Sequence, residues 1–316
     1  MDSSNIILAD MHNFSPEELA HVVKGTQIEH IQVEPGLMSG KVQRSTHEHT
    51  VLDCGKYDRA IMARGDMSHE GVTLAFLMPG RPGGVYRGIP IENPALCIHT
   101  EGTELDITLQ PDTTWSAFQV PREILSNLGF ECPSQMAGML DIEHESTVDT
   151  INKVLGIIRQ LRRIAGNGTE DMLALSHDEV LAAYMHAITP GTATRDPATS
   201  HMHKRYFERA IDYMHANLSA PLNIAQLCHR LGASYKTLER AFRKQTGLGP
   251  HRFFVYLRLS QLRKLLLSKN VDNATVSEVA SLCGFTHMGR MSRAYKDMFG
   301  EPPSVTLKRT RHRFEM

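Results

Sequence analysis

Two copies of one short pattern, 53 residues apart, restrict the C-terminal part of this chain to a duplicated fold. Arg240-Ala241-Phe242-Arg243, followed by Gly247 and Pro250, recurs as Arg293-Ala294-Tyr295-Lys296, followed by Gly300 and Pro303. Upstream, each copy opens with a short helix carrying its own stop. Asn223 with Gln226 is a capping pair before Ile224–Leu231, and Gly232 ends the run. Thr275 with Glu278 plays the same part before Val276–Cys283, ended by Gly284. A hydroxyl, Ser234 or Thr286, then caps a second helix. Helix, glycine turn and second helix form the helix-turn-helix arrangement. The small residues Cys228 and Ala280, at matched positions, let the two helices of each unit approach closely.

The second helix of each unit resolves into faces. In the first unit Leu238, Ala241, Phe242 and Gln245 make a stripe that is mainly core. Lys236, Glu239, Arg240 and Arg243 fall at i, i+3, i+4 and i+7 on another face. A charged helical stripe is ordinarily just solvated, but three of these four are basic and the layout recurs 53 residues later. Such a face suits reading duplex DNA: Arg can bond guanine O6 and N7 bidentately, Lys adds charge, and Glu can accept from cytosine N4. Between the units, Phe253, Phe254, Tyr256, Leu257, Leu259, Leu262, Leu265 and Leu266 mark a long helix along which two short units can share a core.

Charge divides the chain at the same place. The 316 residues hold 34 Lys+Arg and 35 Asp+Glu, a net of −1. Residues 204–316 alone hold 20 and 8, a net of +12, leaving 14 and 27, a net of −13, in residues 1–203. That asymmetry predicts a basic nucleic-acid-binding half joined to an acidic one. Thr189 to Ser200 is poor in large apolar residues and rich in turn formers, so the boundaries expected are 1–189, a linker at 190–203, and 204–316. No apolar run approaches the ~18–20 residues that span a bilayer. The first residues lack a basic segment followed by an apolar one, so no export signal is expected and the location expected is cytoplasmic. Five scattered cysteines, at 54, 97, 132, 228 and 283, include no C-x-x-C pair and read as reduced apolar residues.

The acidic half begins with a capped helix at 15–24, from Ser15, Pro16 and Glu18. Short β-branched and aromatic runs follow at 27–33, 38–45, 49–54, 57–64, 72–78, 95–99, 104–109 and 114–120, separated by Gly and Pro. Many short strands at this spacing predict a small antiparallel barrel or sandwich, cupin-like. Helical periodicity returns at 147–163 and about 170–188; this pair either packs on the barrel or forms a dimer interface. The fold class expected is therefore α+β, with an all-α C-terminal domain of two helix-turn-helix units joined by a long helix.

At this level of detail, residues 204–310 resemble the DNA-binding domain of AraC-family bacterial transcription regulators. The residues carrying the likeness are Ile224-Ala-Gln-Leu, Leu231-Gly232, Ser234, Leu238 with Arg240-Ala-Phe-Arg243, Gly247 and Pro250, then Val279-Ala280, Gly284-Phe285, Arg293-Ala-Tyr-Lys296 and Phe299-Gly300 with Pro303. The resemblance implies that each second helix enters a major-groove segment, about one turn apart on one DNA face. Matched positions give Lys236, Glu239, Arg240 and Arg243 in the first, and Arg290, Arg293 and Lys296 in the second. Gly289 departs from the pattern, since Lys236 holds its place in the first unit; the first helix should read more bases and the second anchor more phosphates. The terminal run Lys308, Arg309, Arg311 and Arg313 is a phosphate-contacting or solvated tail. The resemblance further implies a small effector or a homodimer contact in residues 1–190, no enzymatic activity and no bound cofactor, and an activator that meets RNA polymerase. The N-terminal strand pattern, with Pro90 and Glu101-Gly102, is loosely similar to ethanolamine-operon-type regulators.

Two local motifs suggest other chemistry. His47-Glu48-His49 with Asp53 partly fits a cupin metal signature, which would make this a metal enzyme fused to a DNA-binding domain; surface-strand histidines are the plainer explanation. Asp66, Ser68 and Gly71 match a D-x-S-x-x-G element that holds cyclic di-GMP in PilZ-type proteins, with Arg59 and Arg64 offering phosphate contacts. A β-turn using Asp, Ser and Gly is the plainer explanation there. An adaptive-response methyltransferase would need a zinc-holding cysteine cluster, which these spacings lack.

Overall fold

The computed structural model describes residues 5–14, 16, 27–67, 71–165, 168–188, 192–195, 201–268 and 274–314. Apart from Pro16, the expected helix at 15–24 lies outside the described residues. The strands run β1 Asn5–Phe14, β2 Gln27–Gln32, β3 Met38–His47, β4 Thr50–Tyr57, β5 Ile61–Asp66, β6 Val72–Met78, β7 Val85–Tyr86, β8 Ile89–Pro90, β9 Ala95–Thr100, β10 Glu104–Leu109 and β11 Thr114–Val120. Helix α1 Arg122–Asn127, strand β12 Ala137–Leu140, helices α2 His144–Ile164 and α3 Glu170–Ala187, and strand β13 Thr194–Arg195 complete the first half. The second half is helical: α4 His201–Ala216, α5 Ile224–Leu231, α6 Tyr235–Thr246, α7 Pro250–Leu266, α8 Val276–Leu282, α9 Met288–Phe299 and α10 Pro303–Phe314. Among the described residues no helix is long and apolar enough to cross a membrane.

Two antiparallel sheets face one another. The larger has the order β1-β3-β4-β11-β6-β9-β12-β13 and the smaller β2-β5-β10-β7-β8. Period-two alternation decides what each face meets. On the larger sheet Leu52, Leu74, Phe76, Ile98 and Phe118 point outward into one core with Ile151, Val154, Leu161, Val180 and Tyr184 of α2 and α3. The helix pair packs on the sheet, as one of its two readings expects. The inward residues, Tyr57, Leu77 and Cys97, meet Ile61, Ala63, Ile107 and Leu109 of the smaller sheet.

The smaller sheet is covered in turn by the helical half. Its outward Ile31, Ala60 and Met62 share a core with Phe207, Ile211 and Met214 of α4, Leu227 of α5, Phe242 of α6 and Phe253 of α7. Burying apolar side chains at ~25 cal/mol per Å² makes this shared layer a strong tie between the halves. The turn-rich stretch between them is not wholly irregular: Arg195 pairs with Met139 and Thr194 with Leu140.

Strand β1 was not anticipated by the sequence pattern. Its register opposite β3, from Asn5 against Thr46 to Phe14 against Met38, supplies the partner that local propensity does not reveal. Gly55, expected to end a strand, lies inside β4. It is kept small by Trp115, whose ring would stand 2.6 Å from a Cβ there.

Candidate nucleic-acid interface

The repeat folds as matched helix pairs, α5–α6 and α8–α9. Thr275 and Glu278 form a full capping box at α8, with Thr275 N donating to Glu278 Oε2 at 2.7 Å and Glu278 N donating to Thr275 Oγ1 at 3.2 Å. At α5 only half of the expected box forms: Gln226 N donates to Asn223 Oδ1 at 3.0 Å, while Gln226 Oε1 accepts from Tyr213 Oη instead. Ser234 caps α6, accepting from Thr237 N at 3.1 Å. Thr286 does not cap α9 as expected. His287 occupies that place without a side-chain cap bond, so α9 starts two residues beyond the hydroxyl. Both α6 and α9 end on a left-handed glycine, Gly247 at φ 74° and Gly300 at φ 73°. A Cβ is disfavoured in that conformation, which explains why the repeat keeps glycine there.

Helix α7 serves both pairs. Phe253, Phe254 and Leu257 enter the core of the first pair, whereas Tyr256, Leu259, Leu262 and Leu266 enter a separate core with Val279, Met291, Tyr295 and Phe299. The expected shared helix is thus two-faced, with one core on each side. Arg258 ties the pairs together by donating to Leu218 O, Ala220 O and Gly284 O.

On α6 Leu238, Ala241, Phe242, Gln245 and Thr246 are buried, and Lys236, Arg240 and Arg243 are exposed on the opposite side. Glu239 accepts from Arg243 Nε at 3.1 Å, an i,i+4 pair that braces both side chains on the open face. With Ser234, Thr237, Lys244 and His203 these residues line an open, predominantly basic depression. On α9 Met291, Tyr295, Met298 and Phe299 are buried while Arg290, Arg293 and Lys296 are exposed. At Gly289 a Cβ would meet nothing within 4 Å, so that face is open. Lys308 and Arg309 are exposed on α10, and Arg309 pairs with Glu301. An exposed face of cations backed by a packed stripe can enter a major groove and meet both phosphates and base edges.

The N-terminal candidates are dispersed. Arg64 donates to Glu104 at 2.7 Å and to Asp212 at 3.2 Å, so its charge is already spent on two carboxylates. Arg59 donates to the Asp58 carbonyl at the other end of β5, roughly 16 Å from Arg64 at ~3.3 Å per residue. Asp66 is exposed at the strand end, and Ser68 lies outside the described residues. His47 and His49 flank the tight β3–β4 turn, where Glu48 has φ 48°. Asp53 points between the sheets and is gripped by Arg44 at 2.8 Å through both oxygens, so it does not join the histidines. Burial pushes its carboxyl up against the pull of Arg44. His177 of α3 bonds Ser45 Oγ at 2.8 Å and Thr50 Oγ1 at 2.6 Å, and burial holds it down at about 4. All five cysteines are free, and among the described residues no cluster of metal-ligating side chains forms.

Sequence reasoning did not anticipate the cavity between the sheets, about 110 Å³, whose lining includes His30, Tyr57, Ala63, Tyr86, Ile107 and Trp115. Its walls are overwhelmingly apolar. His30 is neutral there, with burial lowering its pKa to about 4, and among the described residues the buried His30 Nδ1 and Trp115 Nε1 find no hydrogen-bond partner.

The family match falls in the helical half. Residues 227–309 match the family model described as "Helix-turn-helix domain". The probable thc operon regulatory protein of Rhodococcus erythropolis is 35% identical over 99 residues, 31% of this chain and 30% of that protein. The XylDLEGF operon transcriptional activator 2 of Pseudomonas putida is 32% identical over 101 residues, 32% of this chain and 64% of that protein. A solved structure of a probable AraC family transcriptional regulator from Rhodopseudomonas palustris is 34% identical, covers 34% of this chain and 98% of that one, and has a TM-score of 0.32. The chain thus spans less than a third of the length of the Rhodococcus protein. The family match and the α5–α9 geometry define a helix-turn-helix domain in the C-terminal part of the chain. Its sequence is similar to that of the probable AraC family regulator from Rhodopseudomonas palustris.

Proposed function

We propose that this chain is a sequence-specific DNA-binding transcription regulator whose two helix-turn-helix units read adjacent major-groove segments. The observation that carries the reading is the matched exposure of Arg240 and Arg243 on α6 and of Arg293 and Lys296 on α9, with Lys236 and Arg290 beside them, over buried repeat-equivalent stripes. Glu239, braced by Arg243, is placed to accept from cytosine N4 or to discriminate against other bases. Residues 1–189 act as the regulatory domain and 204–316 as the DNA-binding one. Selection of duplexes from a random-sequence library by the full chain tests this. A bipartite consensus is expected; recovery of unenriched sequence contradicts it.

The finer reading is an activator controlled by a small effector. The apolar cavity supports it, because an uncharged ligand of a few heavy atoms would replace empty space with contacts. Asp53, the carboxylate in its wall, is already neutralised by Arg44, so a charged ligand would be buried without a counter-charge. The activator named among the relatives supports the direction of regulation. A thermal-shift screen of the full chain with uncharged and charged metabolites tests the effector. A ligand at 100 times its Kd raises stability by ~2.7 kcal/mol.

A further inference from the structure

The N-terminal half touches both reading helices at the same position of the repeat. Gln245 of α6 and Met298 of α9 are 53 residues apart, one repeat spacing. Gln245 Nε2 donates to Asp106 Oδ1 of β10 at 3.1 Å, a bond buried on both sides. Met298 O accepts from Gln32 Nε2, at the end of β2, at 3.2 Å and from Gly36 N at 3.1 Å. Gln32 Nε2 is also shared with Glu34 O at 2.6 Å and Gly36 O at 2.7 Å, which fixes the 33–37 loop against α9. Two residues further along each helix stand the matched glycines, and Leu37 of that loop lies where a Cβ of Gly300 would be.

We propose that Gln32 and Asp106 are positioning residues for DNA reading: the smaller sheet grips the C-terminal ends of α6 and α9 together and sets their separation. The inference rests on the reading that α6 and α9 enter DNA. The grip falls on the stripe opposite Lys236, Arg240, Arg243, Arg290, Arg293 and Lys296, so it leaves the reading faces open. Gln32 and Asp106 are each 1% exposed and Gln245 is 4% exposed, so none of these bonds can be exchanged for water without opening the interface. Two contacts from the same sheet to α4, the Arg64–Asp212 ion pair and Glu29 with His215 Nε2 at 3.1 Å, flank it. Helix α7 connects the two units, and the sheet adds a second connection at their far ends. The grip is also mounted on the cavity wall: β2 lines the cavity with His30 and β10 with Ile107, the neighbour of Asp106.

A helix pair held at fixed separation tolerates only one spacing of its two DNA elements. The test is made with the full chain and the duplex that the wild type selects, re-synthesised with one or two base pairs added or removed between the elements. Each added pair rotates one element by about 35° about the DNA axis. Wild-type affinity should fall about tenfold per step, whereas Gln32→Leu and the double variant Asp106→Leu/Gln245→Met should flatten the profile to about threefold or less. The double variant replaces both partners by apolar side chains of similar size, which keeps the fold intact. Asp106→Asn retains an acceptor for Gln245 and should restore the wild-type profile. Variants that keep the wild-type spacing profile, or weaken every spacing equally, overturn the proposal. A wild type that selects no bipartite site contradicts instead the reading on which it rests.

Discussion

At the residue scale, the proposed division of labour between α6 and α9 is tested one side chain at a time. Arg240 is exposed on α6 with no acidic neighbour in its stripe other than Glu239, which Arg243 already holds. Arg240→Ala should cost ~1–3 kcal/mol and relax specificity at one base pair, measured by competition among single-base variants of the selected duplex. Uniform weakening across all variants would contradict base reading. Lys296→Ala should instead weaken all sequences alike and lower the slope of log affinity against log salt by about one. Gly289 gives the converse opportunity. Its position is open and its φ is unremarkable, so Gly289→Lys adds both helix propensity, worth ~0.5–1 kcal/mol, and the cation that Lys236 supplies in the first unit. A melting point raised by a few degrees together with tighter duplex binding is the expected result.

At the element scale, turns and caps decide what could be read ahead of the structure. Strands 72–78, 104–109 and 114–120 coincide with expectation because each alternates between a core face and a second buried face and is bounded by Gly or Pro. Strands β1, β12 and β13 escape such reading, since their partners lie far away in sequence and β13 is only 2 residues long. The cationic faces of α6 and α9 are legible because helical spacing alone puts their cations on one side. Gln245 was legible as buried, but its partner Asp106 lies 139 residues away and no local pattern announces it. The caps differ in the same way. Thr275→Ala breaks the complete box and should cost ~1 kcal/mol by chemical denaturation, whereas Thr286→Ala, outside any cap bond, should be nearly neutral. His177 pins α3 to the β3–β4 hairpin. The unfolded chain takes up a proton there near 6.5, but the folded chain refuses it until about 4, so the folded state loses stability as pH falls through that window. Wild type should show a steeper drop in melting temperature between pH 6.5 and 4 than His177→Gln; equal slopes would contradict this.

At the scale of the whole molecule, the net charge of −1 is a cancellation between two halves that are packed together. The acidic half builds two facing sheets, one covered by its own helices and the other by the basic half. The smaller sheet thus bonds to both α6 and α9, and the cationic faces of these helices stay outward. The central claim, that α6 and α9 occupy successive major-groove segments on one side of the duplex, concerns groove and spacing. Methylation protection of guanine N7, an atom found only in the major groove, measures both on the duplex selected by the full chain. Two protected clusters about 10 base pairs apart are expected, with one guanine of the α6 cluster losing protection in Arg240→Ala. A single cluster, or protection confined to adenine N3 in the minor groove, would contradict the account.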